Sequence, residues 1–226
     1  MDDTVIYPIS EIFNSLQGEG YWAGTRMTFV RLAGCSVGKP FTPAARATLD
    51  LPIYREQCHD WAGNAFICDT DYRVKFRMNA EGILEHSEMV GARRVCITGG
   101  EPLIHDLAPL ILACNAANIR VHVETSGTKP LMPGVWNVVS PKHGYLRSSI
   151  EMADELKILV GHDFNETKFQ NNFLWLAGRE KPRLYFQPIG DEHKTDDENL
   201  RVCIELTRKY PTIRLSAQLH KYWGIR

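Results

Sequence analysis

The chain has 226 residues, with 26 Lys plus Arg against 27 Asp plus Glu and a formal net charge of -1. That length suits one large α/β domain, and so balanced a surface offers no charged stripe for a nucleic-acid backbone or an anionic membrane. At 44% hydrophobic and 23% charged the composition is that of a globular protein. No apolar run approaches the roughly 20 residues that cross a bilayer. The opening MDDTVIYPIS has neither a basic flank nor an apolar core of the signal-peptide kind. A cytoplasmic enzyme is the expectation, with no nucleic-acid or membrane partner.

In chain order, 28–32 (TFVRL) reads as a strand running into Ala33, Gly34 and Cys35. From 38 to 63 no period is sustained and Pro40, Pro43 and Pro52 interrupt it, which predicts a long functional loop. Residues 94–98 (RVCIT) form a strand ending at Gly99 and Gly100, and 103–117 carries Leu107, Leu110, Ile111 and Cys114 at helical spacing. Strands are then expected at 119–124, 135–139, 156–160 and 183–187, helices at 165–177 and 195–210, and a last strand at 213–219. Strands spaced by helices argue for parallel βαβ units. A closed eight-unit barrel usually needs about 250 residues. The prediction is therefore one α/β domain over 1–226, a partial (incomplete) TIM-like barrel of about six mostly parallel strands.

Polar clusters follow successive strands: Thr98–Gly99–Gly100–Glu101–Pro102, Glu124–Thr125–Ser126–Gly127, Ser140–Pro141–Lys142, Gln187–Pro188 and Gln218–Leu219–His220–Lys221. In parallel α/β folds the carboxyl ends of strands form the ligand site, so one polar ligand cupped by that edge is expected. The cysteines divide in two. Cys96, Cys114 and Cys203 sit in apolar, periodic surroundings and read as buried small hydrophobes. Cys35, Cys58 and Cys68 lie in irregular, Gly-, Pro- and polar-rich chain, where thiols in a protein without an export signal read as free or metal-ligating.

Three loop cysteines followed by TGGEP resemble the radical S-adenosylmethionine (radical SAM) superfamily. Four further motifs resemble the 7-carboxy-7-deazaguanine synthase family: Phe13–Asn14–Ser15–Leu16–Gln17–Gly18–Glu19–Gly20, Phe29–Val30–Arg31–Leu32–Ala33–Gly34–Cys35, Cys68–Asp69–Thr70–Asp71–Tyr72, and the tail Gln218–Leu219–His220–Lys221–Tyr222. The spacing departs from the superfamily pattern of three and two intervening residues, with 22 between Cys35 and Cys58 and nine between Cys58 and Cys68. Strict spacing would put the second thiol at position 65, which is Ala65, so Cys58 must loop back.

The resemblance implies a radical SAM enzyme converting 6-carboxy-5,6,7,8-tetrahydropterin to 7-carboxy-7-deazaguanine with loss of ammonia, in queuosine and other 7-deazapurine biosynthesis. It implies a [4Fe-4S] cluster on Cys35, Cys58 and Cys68, and Mg²⁺ at Thr70. S-adenosyl-L-methionine would lie against Ile67, Gly100, Glu101, Ser140, Pro141, Lys142, Gln187, Pro188, Ile189 and Gly190. The pterin would lie against Leu16, Gln17, Gly18, Glu19, Arg31, Thr98, His220 and Arg226. No side chain is assigned a catalytic role, because the radical arises on the cofactor. A flavodoxin-like electron donor and a homodimer are also implied. Two alternatives remain at this level: another small radical SAM enzyme such as a glycyl-radical activase, and a non-enzymatic protein with structural zinc on Cys35, Cys58, His59 and Cys68.

Overall fold

Residues Glu155–Val160 (ELKILV) are buried at all six positions, the pattern of a parallel strand covered on both faces. In the computed structural model, which describes residues 5–42, 44–45, 55–71, 73–191 and 193–225, this strand is the tenth of twelve among the described residues. In chain order they are β1 (Tyr7–Leu16), β2 (Arg26–Leu32), β3 (Lys39–Pro40), β4 (Glu56–His59), β5 (Ala65–Ile67) and β6 (Phe76–Met78). Then follow β7 (Arg94–Gly99), β8 (Arg120–Thr125), β9 (Trp136–Val139), β10 (Glu155–Val160), β11 (Arg183–Pro188) and β12 (Arg214–Leu215). The helices are α1 (Ala80–Glu85), α2 (Ala108–Ala116), α3 (Arg147–Met152), α4 (Glu166–Phe173), α5 (Asp197–Lys209) and α6 (Leu219–Trp223).

A nine-stranded sheet has the order β12-β11-β10-β9-β8-β7-β2-β1-β6. From β2 through β7 to β12 every pairing is parallel, whereas β1 is antiparallel to both β2 and β6. The fold is thus α/β with a mostly parallel central sheet, larger than the six or so strands expected. Its core has two halves. Val30, Leu32, Ile97, Val121 and Val123 pack with Ile83, Leu110 and Cys114 in the first. Val139, Leu156, Ile158, Val160 and Phe186 pack with Phe169, Phe173 and Cys203 in the second. Cys96, Cys114 and Cys203 are all fully buried, as their surroundings predict.

Three expectations are corrected. The stretch 213–219 is a strand only at Arg214–Leu215. Ser216 then donates to Gln187 Oε1, Leu219 N donates to Gly18 O, and the chain turns into α6, which ends on Gly224 in the left-handed region (φ 66°). Helix 103–117 begins only at Ala108, after a separate 3-10 turn at Pro102–Ile104. The loop over 38–63 contains β3 and β4, which with β5 form a three-stranded antiparallel sheet.

Candidate active site

The β4–β5 hairpin answers the odd cysteine spacing. Cys58 pairs with Phe66, and His59 with Ala65, so the chain doubles back and sets Cys58 two residues' height from Cys68. Local chemistry closes the turn. Asp60 Oδ1 accepts from Ala62 N and Asn64 N, each at 2.8 Å, and Gly63 sits at φ 93°. Trp61, 6% exposed, ties the hairpin to the main sheet by donating to Leu159 O at 3.0 Å, its ring edge-on to Phe164 and Phe173. Beside it the Asp60 backbone pairs with that of Lys142 in an isolated antiparallel β-bridge, and Arg55 donates to Cys68 O at 3.2 Å.

Cys35, Cys58 and Cys68 all line one cavity of about 190 Å³ at the carboxyl edge of the parallel strands. Val37 N and Gly38 N point at Cys35 Sγ, at 3.4 and 3.3 Å, a donor pattern suited to a thiolate. Burial pushes the Cys68 thiol up to about 11, with Asp69 adding to it. Burial raises Cys58 too, opposed by Lys142. Without a cation these thiols hold their protons, and bound iron would displace them. Three thiols from separate segments on one cavity are the donor chemistry that an iron–sulfur cluster takes. Among the described residues no three His, Cys, Asp or Glu side chains converge on a single ion.

The same cavity is lined by Ile67, Gly100, Ser140, Lys142, Gln187, Pro188, Ile189 and Gly190. Gly100 is required there, because a Cβ would stand 2.1 Å from Gly34 O and 2.7 Å from Cys35 Cβ. Lys142, buried so that its ammonium is disfavoured, donates to Ser140 Oγ at 2.9 Å. Pro141 and Glu101 are not on this wall. Glu101 is fully buried behind it, accepting from Thr125 Oγ1 at 2.7 Å, from Ser126 N at 2.9 Å and from the Ser126 hydroxyl. It holds the residues that face the cavity.

A second cavity, of about 580 Å³, adjoins the first and takes the other set: Leu16, Gln17, Gly18, Glu19, Arg31, Thr98 and His220. Arg31 Nε donates to Glu11 Oε1 at 2.7 Å. Ile225 lines this cavity, while Arg226 lies outside the described residues. The two cavities share Glu19, Asp69, Thr70, Thr98, Glu124 and Gln218. Thr70 Oγ1 lies 3.4 Å from Asp69 Oδ1.

Sequence reasoning missed part of that shared wall. Lys157, an isolated lysine in the apolar LKILV run, is buried and ion-paired with both Glu19 and Glu124. Glu124 also accepts from Gln17 Nε2 at 3.0 Å, and Glu19 from Gln218 Nε2 at 3.0 Å. Lys221 places all three donors, on Asp69 Oδ2, Asp191 O and Gln218 Oε1. The signal for Lys157 was its setting, since a charge in a doubly covered strand must be paired.

Thiols gathered beside a glycine-walled cavity, at the carboxyl edge of a mostly parallel sheet, are the arrangement expected of a radical SAM enzyme. No family model matches the chain. It is 35% identical over 235 residues to the 7-carboxy-7-deazaguanine synthase of Escherichia coli (strain K12), covering 97% of this chain and 99% of that one. It is 33% identical over 231 residues to the enzyme of the same name from Synechocystis sp., covering 99% and 95%. The crystal structure of QueE from Escherichia coli superposes with a TM-score of 0.67 at 28% identity, over 94% of this chain and 93% of that one. The chain belongs to the 7-carboxy-7-deazaguanine synthase family.

Proposed function

We propose that this protein is a radical SAM enzyme that converts 6-carboxy-5,6,7,8-tetrahydropterin to 7-carboxy-7-deazaguanine, releasing ammonia. The observation that carries the reading is the partition of the site. Apart from Pro141, Glu101 and Arg226, the residues assigned to S-adenosylmethionine line one cavity and those assigned to the pterin line the other, with Glu19 and Thr98 on the wall the two share.

Cys35, Cys58 and Cys68 would hold the cluster, which together with S-adenosylmethionine supplies radical initiation. The protein's own residues orient and exclude. Ser140, Lys142 and Gln187–Gly190 bound the cofactor side. Arg31, its Nε fixed by Glu11, turns a planar cationic fork on the substrate carboxylate. The Glu19 carboxylate accepts from the N–H-rich edge of the pterin. Thr70, with the Asp69 carboxylate beside its hydroxyl, would hold Mg²⁺, which would supply charge stabilisation at the substrate's oxygens.

The same reading gives the enzyme a cytoplasmic setting, a homodimeric state and a flavodoxin-like donor. Among the described residues no helix is long and apolar enough to cross a membrane. It also treats the sheet as a partial barrel. Strands β7 to β12 follow one another in chain order, without the reversal of a doubly wound sheet. Anaerobic reconstitution should give a brown protein that, once reduced and supplied with S-adenosylmethionine and the carboxytetrahydropterin, yields the deazaguanine by mass. A colourless protein with stoichiometric zinc would end this reading.

A further inference from the structure

Lys157 is the least expected group in the site. It stands mid-strand in β10, 4% exposed, and its ammonium lies between two carboxylates from different elements: Glu19, from the segment after β1, and Glu124, from β8. Both carboxylates line both cavities. Burial opposes ionisation of Glu19, yet Lys157, His220 and the hydrogen bonds from Lys157 and Gln218 outweigh it and bring the carboxyl down to about 2.

Among the described residues no second cation pairs with both Glu19 and Glu124. Beneath Lys157 on the same strand is Glu155, another acid. His220 faces Glu19, Lys221, Asp69 and Lys157, and burial holds it toward its neutral form. Cys96 lies near Glu124, Lys157, Arg31 and Glu19 and is kept protonated by burial. Lys142 is on the cofactor side, where its nearest acidic neighbours are the Cys58 and Cys68 thiols.

We propose that Lys157 is a positioning residue that keeps the Glu19–Glu124 wall free of a shared proton, so that the wall can accept from a ligand edge bearing adjacent N–H donors. This rests on the pterin reading above and adds its pH control. Two carboxylates facing one another in a desolvated site cannot both stay ionised, and the pair takes up one proton. A protonated carboxyl offers a donor where the ligand also offers donors. Lys157 removes that conflict.

Infrared pH titration of the reconstituted protein tests the assignment without any ligand. In K157M, a carboxylic-acid C=O band should appear at pH 7 and vanish in K157M/E124Q, whereas K157R should lack it. In the unaltered protein, the difference spectrum against E19Q should show Glu19 still ionised at pH 5. Protonation of Glu19 at pH 5 in the unaltered protein overturns the proposal even if K157M does not fold, as does a folded K157M with no band between pH 5 and 8. The fluorescent probe 6-carboxypterin reads the consequence. Its affinity for K157M should fall at least tenfold from pH 8 to pH 6, a shift of one pH unit or more in the acid limb, and K157M/E124Q should recover a flat profile. A carboxypterin that binds neither form at any pH overturns the substrate reading and leaves the Lys157 assignment to the infrared result.

Discussion

The two edges of the parallel sheet are made by the same strands and do opposite things. At the carboxyl edge, β7 ends in Gly99 with Gly100 next, β8 ends in Glu124 and Thr125, and β11 in Gln187 and Pro188, all lining the first cavity. At the amino edge, Arg94, Trp136 and Arg183 begin β7, β9 and β11 and close on Tyr21 and Trp22. Arg94 lies 4.0 Å over the Trp22 ring, Arg183 lies 4.5 Å over Tyr21, and Tyr21 stacks on Trp136 at 5.5 Å. One segment connects them along one face of the sheet. Gln17 bonds Glu124, Glu19 pairs with Lys157, and Tyr21 N donates to Glu155 Oε2 at 2.8 Å. Lys157 and Glu155 are two apart on one strand, so they face the same way. A single strand thus places one charge in the chemistry and the next in the plug. The active edge keeps small and polar groups where ligands must enter. The amino edge uses aromatic area and stacked guanidinium groups, which stabilise without needing a ligand.

That contrast can be broken most severely at the thiols. Cys58→Ala should lose iron as completely as Cys35→Ala, while Cys114→Ala, on the buried face of α2, should retain it; iron analysis after anaerobic reconstitution decides. Full iron in Cys58→Ala would mean that another group fills the corner. At the opposite edge, Trp22→Ala should cost about 3 kcal/mol of unfolding free energy, measured in urea, with iron per chain unchanged. Lost iron would show that the edges are not energetically separate.

The last effect is one of pH. Burial first, and Arg94 next, bring His122 under the plug down to about 4. The unfolded imidazole, with a pKa near 6.5, then binds a proton that the folded one refuses. Stability should therefore be full above about pH 7 and fall as pH drops from about 6.5 to 4, at no more than about 1.4 kcal/mol per unit from this group. Urea midpoints for the unaltered protein and His122→Asn, compared across that range, isolate the contribution. Parallel slopes would remove His122 from the account.

The sequence was most readable where strands are covered on both faces. RVCIT and LKILV are near-continuous apolar runs, and both are strands of the parallel sheet. β1 was harder, because its register shifts between Ile9 and Glu11 and an extra residue there breaks the alternation of two. The hairpin carrying Cys58 gave no periodic signal at all. EQCH is mostly polar, and its shape comes from the Asp60 side chain and from Trp61 reaching a partner 98 residues away. The site divided likewise. The glycines and cysteines were legible as motifs, whereas Lys157 and the buried position of Glu101 depend on neighbours distant in the chain.

The hairpin also bears on how this chain could vary. Because Cys58 is located by pairing with β5 and by the Trp61 anchor, its position is independent of how much chain separates it from Cys35. Doubling the number of residues between two fixed points costs only about 0.6 kcal/mol of closure entropy. The stretch between β3 and β4 is therefore a place where residues can be gained or lost over generations while the second thiol stays where it is, and a fluorescent or affinity module spliced in there should ride on the enzyme without displacing its metal.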